Sequence, residues 1–286
     1  MPTRPPRVTL PARRAAAVLA GVLAAAPAVA ADLQPHAITY QVTVAKPPAD
    51  TAVASQISGT LSRTCDGWSY GSAVFYGIER NAKGRDPNGP LTGNADTYQE
   101  RLSVTEKFDG TALQYTSRYI FNGRGEDVRG TATTGANGLL DVKSDRLPRK
   151  VKLPPETLLP VALRSKLIDA LPRDDKTRPT FTIRTLELGR FHDDTDVTFT
   201  LSPPFPPAPP TKADPKGGSP KVDSPLLKGR SWTVKQTSKD HADWMESTFE
   251  IHESGVIARY TFKREDIVWR ADVRELTPFM PPKCGG

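Results

Sequence analysis

Apolar and polar residues alternate along most of the chain. Ile38, Tyr40, Val42 and Val44 are separated by Thr39, Gln41 and Thr43. Tyr98, Leu102, Val104 and Phe108 share one parity, and Leu113, Tyr115, Tyr119 and Phe121 share another. A period of two predicts strands with one apolar face. Asp109-Gly110 lies between the last two runs and Asn122-Gly123 closes the second, both hairpin signals. Asn137-Gly138 marks a further turn. Ser254-Gly255 separates Phe249-Glu250-Ile251 from the run Ile257 to Phe262. Ile267, Trp269, Ala271 and Val273 then line one face of a last run. About a dozen short-linked strands predict an all-β-dominated, antiparallel chain.

One segment departs from this period. Leu159, Leu163, Leu167 and Leu171 recur every fourth residue, flanked by Leu158 and Ile168. This predicts a single amphipathic helix over residues 158–171, with its Leu stripe packed on a sheet. Thr157 is the expected N-cap, Pro160 fits the first turn, and Pro172 stops the helix. Residues 202–225 hold nine Pro and predict an extended surface loop, because Pro cannot donate to a ladder. Residues 81–94 form a shorter Gly/Pro/Asn loop.

The N-terminus changes how the charge is read. The 286 residues carry a formal charge of +7, which would suit a polyanion or an anionic membrane. Four of the basic residues, Arg4, Arg7, Arg13 and Arg14, precede an apolar run from Ala15 to Ala26. Ala28-Val29-Ala30 follows as a cleavage signal, so residues 1–30 are predicted to be a secretory signal peptide. Residues 31–286 then form the mature single domain, with 35 basic against 32 acidic residues. A net +3 does not call for nucleic acid, and no other segment is long and apolar enough for a membrane helix. An exported chain meets an oxidising compartment, where Cys65 and Cys284 are expected to form an intramolecular disulfide. Two free thiols or a bridge between chains are the alternatives.

Candidate chemistry is sparse. Gly67-Trp68-Ser69-Tyr70-Gly71 has the G-x-S-x-G form of serine hydrolases, but Ala73-Val74-Phe75-Tyr76 continues it as strand rather than helix. His192 and His241 each neighbour an Asp in a polar connection, and no two of the four His have metal-ligand spacing. Arg118, Arg124 and Arg129 interleave with Tyr115, Tyr119 and Phe121, as on an ordinary two-faced strand. Lys143 to Lys152 is a local basic run, expected to be a solvated face. No catalytic, cofactor-binding or metal-ligating residues emerge, and the chain is expected not to be an enzyme.

Several features in order resemble a known family. They are an early Cys65, Leu153-Pro154-Pro155 leading through Thr157 into one helix, Glu253-Ser254-Gly255-Val256 before a strand, and a terminal Cys284. Over residues 33–284 the chain resembles the EipB-type cell-envelope integrity proteins of alphaproteobacteria. The resemblance implies a soluble periplasmic protein built as a β-spiral, an open barrel of about fourteen antiparallel strands with a packed helix. It also implies a bridge between Cys65 and Cys284, no cofactor, and no enzyme activity. The implied role is support of envelope integrity through protein–protein interaction, with a periplasmic tetratricopeptide-repeat protein or another envelope component as partner. Leu158-Leu159-Pro160-Val161 lacks the aromatic that the family tends to place before Pro, and residues 202–225 look like an insertion. The alternative function is a carrier-like module for lipid or lipoprotein, with an open cavity in place of a filled core.

Overall fold

The structure is a computed structural model that describes residues 33–46, 49–147, 149–186, 188, 194–205, 222–238, 246–264 and 267–284. The predicted signal peptide, residues 206–221 of the Pro-rich loop, His192 and His241 lie outside these residues.

Fourteen strands and one α-helix make up the described residues. The first eight strands are β1 (His36–Lys46), β2 (Thr51–Arg63), β3 (Gly67–Arg80), β4 (Asp96–Lys107), β5 (Ala112–Phe121), β6 (Arg124–Thr134), β7 (Leu140–Ser144) and β8 (Val151–Leu153). Helix α1 (Pro160–Asp169) follows. The chain then forms β9 (Thr180–Leu186), β10 (Asp194–Leu201), β11 (Ser231–Ser238), β12 (Glu246–His252), β13 (Ile257–Arg264) and β14 (Ile267–Pro278). The strand order in the single sheet is 8-7-6-5-4-3-2-1-14-13-12-11-10-9, all antiparallel. It consists of two meanders zipped together by the β1–β14 pair.

The edges of the sheet, β8 and β9, are consecutive in the chain. Leu158, between β8 and α1, makes a parallel bridge to Thr185 on β9. Its N–H donates to the Arg184 carbonyl at 2.8 Å, and its own carbonyl accepts from the Leu186 N–H at 2.9 Å. The curved sheet therefore returns on itself without closing into a barrel. Turn chemistry supports the meanders. Asn122 and Gly123 both take positive φ (47° and 79°), the combination required by the tightest hairpins. At Asp109-Gly110 the Asp side chain accepts from the Thr111 N–H at 2.9 Å.

The predicted alternation sets the inside of the spiral. Leu113, Tyr115 and Tyr119 on β5 are buried, as are Trp269, Ala271 and Val273 on β14. Arg118 points the other way and pairs with Asp127 at 3.8 Å. Base and aromatic thus lie on opposite faces of β5. Phe108 and Phe121, at strand ends, remain partly exposed. Within the basic run, Arg146 pairs with Glu126 and Lys150 with Asp141.

A close approach inside the sheet requires one glycine. Gly130 on β6 sits opposite Tyr115, and a Cβ there would enter the Tyr115 ring. Gly130→Ala should therefore displace a buried aromatic and cost about 1–3 kcal/mol in a urea melt. A variant as stable as the parent would show that the ring has room to move.

Helix α1 lies within the curve of the sheet. One side packs Leu167 and Leu171 with Ile183, Phe199, Leu201 and Trp232. The other sets Val161 against Leu33, Leu61 and Trp68. Each fully buried Leu contributes roughly 1.5–3 kcal/mol. The Trp232 indole N–H donates to the Pro172 carbonyl at 2.9 Å, which fixes the exit of the helix segment.

The helix differs from the sequence expectation at its start. It runs over Pro160–Asp169 rather than 158–171, and Leu159 is an N-cap with no side-chain bond. Leu158 cannot be helical because its backbone is bonded to β9. Thr157 does not cap: it is buried and its hydroxyl finds no hydrogen-bond partner among the described residues.

Candidate functional site: the interior beneath the helix

The start of α1 is capped from a distant strand. Glu106, near the end of β4 on its inward face, accepts from the Val161 and Ala162 N–H groups, both at 2.8 Å. A carboxylate at a helix N-terminus satisfies orphan donors and meets the positive end of the helix dipole. Glu106 is buried. Burial pushes its carboxyl up to about 7, against the opposing pull of the two N–H bonds.

His36, at the start of β1, is the buried counterpart. Its Nδ1 lies 2.7 Å from the Gln34 carbonyl, which selects the tautomer that donates there. Burial lowers its pKa to about 4, with help from the Arg164 charge and against the Gln34 bond.

These two groups have opposite linkage to pH. Below about 6.5 the unfolded chain takes up a proton that folded His36 refuses, so stability falls as pH drops toward 4. Unfolded Glu106 ionises near 4.5 and folded Glu106 near 7, so stability falls as pH rises between them. Each slope approaches about 1.4 kcal/mol per pH unit, and they oppose each other between pH 4.5 and 6.5. Glu106→Gln should unmask the His36 slope. Urea melts of the variant should lose up to about 3 kcal/mol from pH 6.5 to 4.5 while the parent changes little. Parallel profiles for the two proteins would contradict this assignment.

Burial of inward-facing residues changes with depth. On β1, His36 and Ile38 are buried, Tyr40 and Val42 are half-buried, and Val44 is buried again. On β2, Leu61 and Val53 are buried while Ile57 between them is not. Val74, Tyr76, Glu100 and Tyr260 continue this half-buried band on β3, β4 and β13. Cross-strand register places these positions on one face: Tyr40 opposes Ile57, Ile57 opposes Val74, and Val74 opposes Glu100. The helix and its neighbours fill one end of the spiral. Val44, Val53, Phe262, Ile267 and Trp269 fill the other. The band between them stays half-buried, with Ile57, Tyr76 and Tyr260 packed in part against the second cluster.

Polar groups in this band have distinct roles. Tyr40 donates its hydroxyl to the Ile257 carbonyl at 2.8 Å, and burial pushes its phenol up to about 12. Tyr98 donates to Glu100 at 2.9 Å, and burial raises the Glu100 pKa. Tyr70 is raised first by burial and then by the Glu106 charge. Arg164 on α1 lies near Tyr40 and Tyr70, and burial lowers its pKa. On the outer face, a depression of about 560 Å³ is lined by hydroxyls together with Arg129 and Lys143.

The disulfide predicted from the sequence is formed. Cys65 in the β2–β3 turn and Cys284 in the tail after β14 are bonded, with Cα atoms 5.5 Å apart. The tail leaves β14 beside β1, where Phe279 N–H donates to the Pro35 carbonyl at 2.9 Å. Ser69 lies within β3 near its start, opposite Ser62 and Thr105, without the strand-to-helix turn of a nucleophile elbow. Among the described residues, no three of His, Cys, Asp and Glu gather as a metal site. None of the described helices is long and apolar enough to cross a membrane.

Residues 27–280 match the family described as EipB-like. The chain belongs to that family. A solved structure, a beta-barrel-like protein of a domain of unknown function from Brucella abortus, shares the fold with a TM-score of 0.69 at 16% identity. The alignment covers 88% of this chain and 100% of that one. No curated protein matches the chain. EipB-like membership and the beta-barrel-like fold fit a periplasmic envelope protein at the level of the family. Glu106, Arg164, Tyr40 and Tyr70 went unmarked by the sequence motifs. Glu106 did carry a signal, since it and Glu100 are acids sharing one parity of β4 with Tyr98, Leu102 and Val104.

Proposed function

We propose that this EipB-like protein acts in the periplasm, after removal of residues 1–30, as a non-enzymatic support of cell-envelope integrity. Family membership carries this reading, and a β-spiral tied by one long-range disulfide suits an exported scaffold. Its partner class is an envelope protein, with a periplasmic tetratricopeptide-repeat protein the candidate brought by the resemblance. The test is deletion in the native host followed by challenge with detergent and cell-wall antibiotics. Sensitivity of the deletion strain that is reversed equally by the parent and by Ser69→Ala supports the proposal. Restoration by the parent alone would return Ser69 to consideration as a nucleophile.

A second reading is favoured by the half-buried band inside the spiral. Accessible apolar space bounded by a curved sheet suits a carrier-like module for lipid or lipoprotein. Acyl chains co-purifying in stoichiometric amount with the mature protein would support it.

A further inference from the structure

Arg164 is the one Arg or Lys side chain of helix α1 that faces β1 and β3. Val161 and Ile168, three residues before it and four after, pack with Leu61 and Trp68 on that side. Tyr70 packs on that same cluster with Ile168, and the Arg164 charge acts on His36, Tyr40 and Tyr70. Among the described residues, no carboxylate lies within ion-pair distance of the guanidinium and no acceptor takes a hydrogen bond from it. Its nitrogens are not sealed in either, since none is among the enclosed, unpartnered atoms. The same holds for the Tyr70 hydroxyl.

Both interior acids act on Tyr70, but each is already engaged. Glu106 is occupied by the Val161 and Ala162 N–H groups. Glu100 sits opposite Val74, four residues along β3 from Tyr70, roughly 13 Å at the rise of a strand. It is engaged by Tyr98. A permanent cation on a helix otherwise packed on both sides is costly unless something anionic meets it. Between Arg164 and Glu100 the lining is apolar and aromatic: Tyr40, Ile57, Val74, Tyr76 and Tyr260.

We propose that the spiral interior binds an amphiphile with one anionic oxygen headgroup, the head held by Arg164 and Tyr70 and the apolar body laid along the half-buried band. This deepens the carrier-like reading and rests on it. The guanidinium offers a fork of donors matched to carboxylate or phosphate oxygens, and the phenol adds one more. The same charge adds to the burial that keeps the His36 imidazole neutral.

Binding of laurate, dodecanol and inorganic phosphate to the mature protein tests this by calorimetry. Laurate should bind tenfold or more tighter than dodecanol, the range expected for one charge-assisted hydrogen bond, and phosphate alone should bind weakly. Arg164→Gln should abolish the preference for laurate and leave dodecanol binding unchanged. In the empty state Arg164→Gln should also melt higher than the parent, because an unmatched charge has been removed. An arginine with a structural role would instead melt lower on substitution. Equal binding of laurate and dodecanol by the parent overturns the role of Arg164 while leaving the carrier reading intact. Tight phosphate binding without any preference for the alkyl chain overturns the amphiphile. Binding of none of the three overturns the carrier reading itself. The comparison of ligands on the parent stands even if the variant fails to fold.

Discussion

Reduction of the Cys65–Cys284 bond should lower stability by about 5 kcal/mol, the largest single loss expected in the molecule. The bridge closes a loop spanning a sequence separation of 219, so the unfolded chain loses much of its freedom while the bond is intact. In the folded state little is asked of the rest of the structure, because β1 already pairs with both β2 and β14. That pairing carries the tail past the β2–β3 turn. Cys65→Ser and Cys284→Ser should therefore give equal losses, and the double variant should lose no more than either one. Denaturant melts of the three variants, with and without reductant, measure this directly. Additive losses would mean that the two sulfurs act separately.

Replacement of Glu106 by Ala should cost about 2–4 kcal/mol, through two helix-start N–H groups left without a partner in an enclosed site. Glu106→Gln should cost about 1–2 kcal/mol, because the amide keeps one accepting oxygen and turns a donor toward the other N–H. The effect should also be local. Hydrogen exchange should show lost protection across α1 while the β1–β14 pair stays protected. Uniform loss of protection across the sheet would show that the helix and the sheet open together. Loss of the cap also loosens the element that carries Arg164, so the interior site and the fold meet at this carboxylate.

The strands were legible because each buries one face, and burial on one face writes a period of two into the chain. Ile267, Trp269, Ala271 and Val273 show this directly: all four are inward and buried. The turns were legible where backbone sterics demand Gly or Asn, as at Asn122-Gly123. β7 and β8, of five and three residues, are too short to display a period. The helix was legible by its Leu stripe, but its start was not. Its cap comes from a residue 55 positions away, and the expected local cap, Thr157, is turned aside by the backbone bonds of Leu158 to β9.

The sequence alone determined the strand-rich class, the single helix and the pair of cysteines. Each is written in local composition or spacing. Tertiary structure alone decided that two meanders join through β1 and β14, which no local pattern encodes because the partners come from opposite ends of the domain. It also decided which polar residues enter the interior. Arg164 follows a Val and a Leu on a helix that looks one-sided in sequence, and the second packed side exists only because the sheet curves around it. That curvature leaves Arg164 with no carboxylate partner among the described residues, beside a half-buried band, and this makes the interior a candidate site.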